Sequence, residues 1–377
     1  MKLKKLTLVV ISCFMAIASK TAGSVEQELE ELEGQQKYNC FSGDGGGMRG
    51  YASLLMLQAL ENEMRSLTGN SEEKLWDYFD FYGGTSTGGI IAAGAALGES
   101  IPKMLKLYRD KGLFIFPESS WDAIKTGGGL TSSRYKLDGL EKTLKEIHPT
   151  NPWLSNSCKP LLLTGYRISP IYDVRQGMRK IHDESVNQIY NFTSYAAQAS
   201  EDDDFPLWQA CCATAAAPPY LPAFEVCSKT NRRMIVFDGG MHSPNPSSII
   251  LEEAKSMFKA KKSQINIFSF STGFMNFAPT FSTYGMAELH LNGMLDRNLT
   301  AQGQAIDESM KKRLDKQYFR FNPPLQESIL FVDGRPATLE RLKNYTDAYL
   351  ALPATQAEIR RAAEVLVESK NNRFQAL

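Results

Sequence analysis

The 377-residue chain has few of the residues that build metal centres or disulfide frameworks: four histidines and six cysteines. It contains no C-x-x-C pair and no cysteine–histidine cluster at metal-ligand spacing, so neither a metal nor a cofactor is expected. Five cysteines lie beyond the first residues: Cys40, Cys158, Cys211, Cys212 and Cys227. They are too few for a disulfide framework, although an exported chain would tolerate one or two bridges. An excess of one charge is also missing, with 42 basic residues against 42 acidic ones. That balance excludes a partner drawn in by overall field, such as nucleic acid, and leaves selection to a site. With 43% apolar and 22% charged residues, low-complexity and disordered readings fall away.

No apolar run reaches the length of about 20 residues that a membrane-spanning helix requires. The nearest is Leu6 to Ala18, preceded by Lys2, Lys4 and Lys5 and followed by small and polar residues. Residues 1–23 therefore read as a signal peptide, cleaved after Ala18 or Gly23, and the protein as secreted or periplasmic. An uncleaved leader serving as a membrane anchor is the alternative. Residues 24–36 form an acidic linker. Strand-like runs at Lys37–Phe41, Leu161–Ile168, Met234–Phe237, Ile265–Ser271 and Tyr318–Phe321 alternate with helical patterns, among them Trp208–Ala217 and Ser247–Lys259. This alternation predicts an α/β fold with a mainly parallel central sheet flanked by helices. No linker separates the last part of the chain. Residues 37–325 are read as the catalytic domain, and 326–377 as a helical C-terminal extension packed on it.

Two glycine clusters carry the chemistry. Gly84-Thr85-Ser86-Thr87-Gly88 is a G-x-S-x-G between a predicted strand and a predicted helix, a sharp turn that exposes a serine hydroxyl. The helix that follows aims its positive end at Ser86. About forty residues earlier, Gly45-Gly46-Gly47-Met48-Arg49-Gly50 also sits at a strand-to-helix junction. Consecutive glycines let backbone amides converge on a point, as an oxyanion hole or a phosphate cradle requires. The same residues satisfy G-x-G-x-x-G, but neither a Walker-type Gly-Lys-Ser/Thr nor a ribose-binding acid follows. A base is offered by Asp238, which heads Asp238-Gly239-Gly240 directly after a predicted strand.

In this order the blocks resemble the patatin-like phospholipases, a family of lipid acyl hydrolases. The family's D-G-G-G-x-R-G reads as Asp44 to Gly50, its G-x-S-x-G as Gly84 to Gly88, and its D-G-G/A as Asp238 to Gly240. The alanine-rich helix Trp208 to Tyr220 and the turn Ser269 to Gly273 are similar too. The resemblance implies a Ser86–Asp238 dyad without histidine, with the Gly45, Gly46 and Gly47 amides as oxyanion hole. Arg49, Gly50, Gly84, Gly88, Gly239 and Gly240 would support these motifs, Arg49 by ordering the glycine loop rather than by meeting a lipid phosphate. The implied partner is a lipid or phospholipid at a membrane or micelle surface. A soluble-ester or thioester hydrolase, and a lipid-binding or storage protein with little turnover, are the rival readings. Pro244 departs from the family's usual asparagine, and His242 introduces a titratable group expected to support the charge on Asp238. Of the remaining histidines, His148 and His182 read as surface residues, whereas His290 would fit a Ser–Asp–His triad.

Overall fold

The computed structural model describes residues 36–117, 133–147, 150–168, 172–173, 179–180, 188–275 and 294–375. The expected leader, all but the end of the linker, and His148, His182 and His290 lie outside the described residues.

Among the described residues, these strands and helices position the site. The strands are β1 (Tyr38–Gly43), β2 (Phe81–Gly84), β3 (Leu161–Leu163), β4 (Gly165–Arg167), β5 (Phe192–Thr193), β6 (Phe224–Cys227), β7 (Arg232–Asp238), β8 (Ile265–Phe270) and β9 (Tyr318–Phe321). The helices are α1 (Gly50–Thr68), α2 (Thr87–Ala96), α3 (Ile101–Ile115), α4 (Asp138–Ile147), α5 (Leu207–Thr214), α6 (Ser247–Phe258), α7 (Met294–Leu314), α8 (Pro336–Leu350) and α9 (Pro353–Gln375).

The central sheet runs β9-β8-β1-β2-β3-β5, parallel throughout except for the antiparallel edge β5. Such a sheet is buried on both faces, so its strands are almost continuously apolar. All six residues of β8 are buried. The period of two divides its side chains between two cores. Phe41, Tyr82, Phe268 and Phe319 face α1, α2 and the C-terminal α8 and α9. Cys40, Phe81, Leu162 and Ile267 face α6 and α7. Polar residues inside the sheet are satisfied in register: Asn266 donates to Asn39 Oδ1 at 3.0 Å, and Asn39 Nδ2 donates to the Tyr78 carbonyl at 3.2 Å. The C-terminal helices share the core of α1 through Leu342, Ala362 and Leu366, and Arg361 lies 3.9 Å over the Phe319 ring.

The run Leu161–Ile168, expected as one strand, is two. At Thr164 the chain leaves the central sheet, and β4 instead joins an antiparallel sheet with β7. Thr164 is held at the break by its N–H on the Gly84 carbonyl (3.2 Å) and its hydroxyl on Thr85 Oγ1 (2.8 Å). The strand that ends in Asp238 thus belongs to the second sheet, which carries it across the end of β2.

Candidate active site

Ser86 sits in a backbone conformation that L-residues rarely adopt, φ 56° and ψ −124°, between the end of β2 and the start of α2. The surroundings enforce it. A Cβ on Gly84 would overlap the Gly88 carbonyl, and a Cβ on Gly88 would overlap that of Gly43, so the turn is pressed between β1 and α2. Gly50 has the same role one layer out, since a Cβ there would come within 2.5 Å of Thr87 Oγ1 and the Tyr108 hydroxyl. Ser86 N–H donates to Thr214 Oγ1 at 3.0 Å, and Thr85 Oγ1 donates to the Ser243 carbonyl at 2.6 Å. Four chain segments fix one turn.

Asp238 closes β7 and is 4% exposed. Its N–H donates to the Ala216 carbonyl (3.0 Å), and its Oδ1 accepts the Gly240 N–H (2.6 Å). The Ser86 side chain lines the same cavity as this carboxyl group and helps to lower its pKa. Burial pushes the Asp238 pKa up to about 7, and the Gly240 N–H and the Ser86 side chain pull it back only in part. Gly239 is required by contact, because a Cβ would run into Thr164. His242 does not do what the sequence suggested. Burial lowers its pKa, its Nε2 meets the Gly165 carbonyl at 3.2 Å, and a neutral ring cannot support the charge on Asp238.

The glycine loop leaves β1 beside this pair. Gly45 corrects a second expectation: its N–H is committed to the Pro244 carbonyl at 3.0 Å and is not offered to a substrate. Pro244 thereby acquires a role, as an acceptor that tethers the loop. Gly46 and Gly47 line the cavity over Ser86. Neither tolerates a side chain: a Cβ on Gly46 would strike Thr272, and one on Gly47 (φ 55°) would strike the Phe331 carbonyl. Arg49 is buried, its guanidinium 4.1 Å from the centre of the Phe331 ring, which fits loop ordering. Asp44 is held by Arg320 through two bonds, at 2.9 and 2.6 Å.

From Ser86 a cavity extends between α2, α3, α4 and α5. Asp238, Gly46 and Gly47 stand at one end, and Ile91, Met104, Leu107, Leu140, Leu144 and Leu221 continue it. Tyr108 and Cys211 also line it, and burial pushes both up to about 12, so they stay neutral. Among the described residues no group of three or more His, Cys, Asp or Glu could hold a metal.

The Patatin-like phospholipase family model matches residues 42–251, more than half of the chain. The chain belongs to the patatin-like phospholipase family. It is 30% identical over 257 residues to patatin-like protein 1 of Oryza sativa subsp. indica, covering 64% of this chain and 57% of that one. It is 25% identical over 233 residues to a cGAMP-activated phospholipase of Escherichia coli (strain TW11681), covering 61% and 60%. A third relative, probable inactive patatin-like protein 9 of Arabidopsis thaliana, is 27% identical over 227 residues, covering 58% and 55%. The chain thus spans little more than half the length of these patatin-like relatives.

Three contributors to this patatin-like site were not singled out in the sequence. Arg320 interrupts an otherwise apolar strand, Tyr-Phe-Arg-Phe, and a buried arginine of that kind signals a buried carboxylate partner. Thr214 lies inside the alanine-rich helix block and supports the Ser86 amide. Phe331 lies in a loop without periodicity, and no local signal marks it. The acidic run Glu201–Asp204 is partly structural: Asp204 is 1% exposed and accepts from the Ser155 N–H at 3.0 Å.

Proposed function

We propose that this patatin-like chain is a serine acyl hydrolase of phospholipase A type, with Ser86 as nucleophile and Asp238 as its base. The observation that carries the reading is that Ser86 and a buried Asp238 carboxyl, its pKa raised to about 7, line the same apolar cavity. Asp238 takes the hydroxyl proton as Ser86 Oγ attacks the ester carbonyl. The oxyanion faces the Gly46 and Gly47 amides and the N-terminus of α2. Collapse expels the alcohol, which leaves with the proton held by Asp238. Water, activated by the same carboxylate, then cleaves the acyl-serine and releases a fatty acid.

The apolar cavity favours a long acyl chain over a small soluble ester. Leu113 and Phe114 are exposed on α3 beside the wall residues Gly112 and Ile115, and Met241, also exposed, lines the cavity itself. They suit a lipid surface from which a substrate is drawn. The leader adds export, to the cell exterior or the periplasm.

The test is product analysis on phosphatidylcholine vesicles and on a short-chain ester. Ser86→Ala should lower kcat by about 10³-fold or more, and a fluorophosphonate should label Ser86 alone. His290→Gln should stay active. Its loss in a folded protein would replace the dyad with a triad. Lipid binding without turnover in the wild type would favour a storage or carrier protein.

A further inference from the structure

The glycine loop has no side chains of its own between Gly45 and Gly47, so whatever shape it holds is imposed from outside. On one side is Thr272, whose hydroxyl donates to the Gly45 carbonyl at 3.0 Å. On the other is Phe331. Its carbonyl accepts the Met48 N–H at 2.7 Å, its ring lies under the Arg49 guanidinium, and its carbonyl fills the space a Gly47 side chain would need. The strand-free segment that carries it is buried at Ile329, Phe331 and Val332. A few residues on, Gly334 lies against the backbone of Gly112 on α3, where a Cβ on either glycine would come within 3.0 Å of the other's backbone. The segment is therefore anchored at both the loop and the cavity wall, and Phe331 itself lines the cavity.

We infer that Phe331 is a positioning residue for the acyl-transfer reaction, holding the Gly46 and Gly47 amides where the oxyanion forms. The inference rests on the oxyanion role proposed above for those glycines, and it extends the working site to a residue outside the family match at 42–251. Two attachments meet on this residue. The carbonyl fixes the loop through Met48, and the ring fixes it through Arg49, whose attraction to an aromatic face depends on the ring's quadrupole and not on its bulk. An aliphatic side chain of similar size keeps the wall of the cavity and loses the second attachment.

The experiment compares Phe331→Leu, Phe331→Tyr and wild type on one short-chain ester, with thermal unfolding recorded for each. Displacement of oxyanion donors by a fraction of an ångström predicts a kcat lower by about 10- to 100-fold in Phe331→Leu, with KM within about twofold of wild type. Phe331→Tyr should retain most of kcat. A second readout is binding of an alkyl trifluoromethyl ketone. Its carbonyl adds the Ser86 oxygen, the hydroxyl proton passes to Asp238, and the ketone oxygen becomes an alkoxide in the hole. Its affinity should fall in Phe331→Leu by the same factor as kcat, while that of a free fatty acid stays unchanged. Equal kcat in all three proteins, or a raised KM at unchanged kcat, would overturn the inference while leaving the hydrolase reading intact. A wild type without esterase activity would overturn both.

Discussion

Asp238→Asn keeps the size of the side chain and removes its capacity to take a proton, and opposite effects on turnover and on stability are expected. Asp238 has a folded pKa of about 7 against an ordinary value of 3.8. Because the folded value is raised, the fold favours the protonated acid. That contribution is fully present below pH 3.8 and is lost as pH rises through 7. Three units at about 1.4 kcal/mol each make the ionised form cost the fold roughly 4 kcal/mol above pH 7. The side chain is 4% exposed, so solvent screening does little to reduce this. Asparagine carries no charge at any pH, but it loses the strong acceptor for the Gly240 N–H. We expect Asp238→Asn to gain about 1–3 kcal/mol at pH 8 and almost nothing at pH 4. Its kcat at pH 8 should fall by about 10³-fold.

The same pKa sets the wild-type profile. Acylation requires the carboxylate, so kcat/KM should rise about tenfold per pH unit below 7 and level off above it, with about 1% of the plateau remaining at pH 5. His242→Gln should leave the inflection in place, since burial keeps that ring neutral. The assay is kcat/KM from pH 4.5 to 9 on a short-chain ester, paired with urea unfolding at pH 4 and pH 8. A flat profile across pH 5–8, or an Asp238→Asn protein as active as wild type, refutes the reasoning.

Other substitutions test the frame around the pair. Gly88→Ala drives a methyl into the Gly43 carbonyl and should destabilise by about 3 kcal/mol or more; an unchanged urea midpoint would contradict the close approach. Arg320→Met leaves Asp44 buried without its partner and should cost about 3–5 kcal/mol, partly recovered by adding Asp44→Asn; an additive double-mutant cycle would show that the two are not coupled. Leu144→Trp narrows the cavity and should raise the ratio of butyryl to palmitoyl ester turnover by about tenfold or more, and an unchanged ratio would place the acyl chain elsewhere.

Much of this arrangement was legible in the sequence because the chemistry is written locally. A strand, a glycine-flanked serine and a helix occupy consecutive residues, and so do a strand, Asp238 and two glycines. What local pattern cannot express is which sheet a strand joins. Leu161–Ile168 is apolar on both sides of Thr164, and only the tertiary bonds of Thr164 to Gly84 and Thr85 divide it between two sheets. Distance along the chain hides the rest. Asp44 and Arg320 are 276 residues apart, and Phe331 reaches the glycine loop from a segment with no periodicity. Glycine repeats do not reveal where a backbone N–H points, so the resemblance counts the Gly45 amide in the oxyanion hole although it is bonded to Pro244. In the sequence Pro244, which takes that bond, shows only as a departure from a motif.

The proposed dyad has to do with one carboxylate what a triad divides between an imidazole and an acid. An ordinary aspartate, with its pKa of 3.8, is too weak a base for serine and too strong an acid to hold the proton for long. Burial removes the first objection by moving Asp238 to about 7, where an imidazole works. Orientation is the second requirement, met in a triad by the acid behind the histidine. Here the Gly240 N–H on Oδ1 and the Asp238 N–H on Ala216 fix the carboxyl directly from the end of β7, so no third side chain is needed to aim it. The apolar walls proposed to receive an acyl chain also keep water from the carboxyl. Substrate preference and base strength thus share one cause, and a polar substitution that admits water beside Asp238, such as Ala215→Ser, should lower the inflection of the pH profile and weaken the preference for long chains together. Measuring both in that variant decides it, because a shift in either property without the other would separate the two effects.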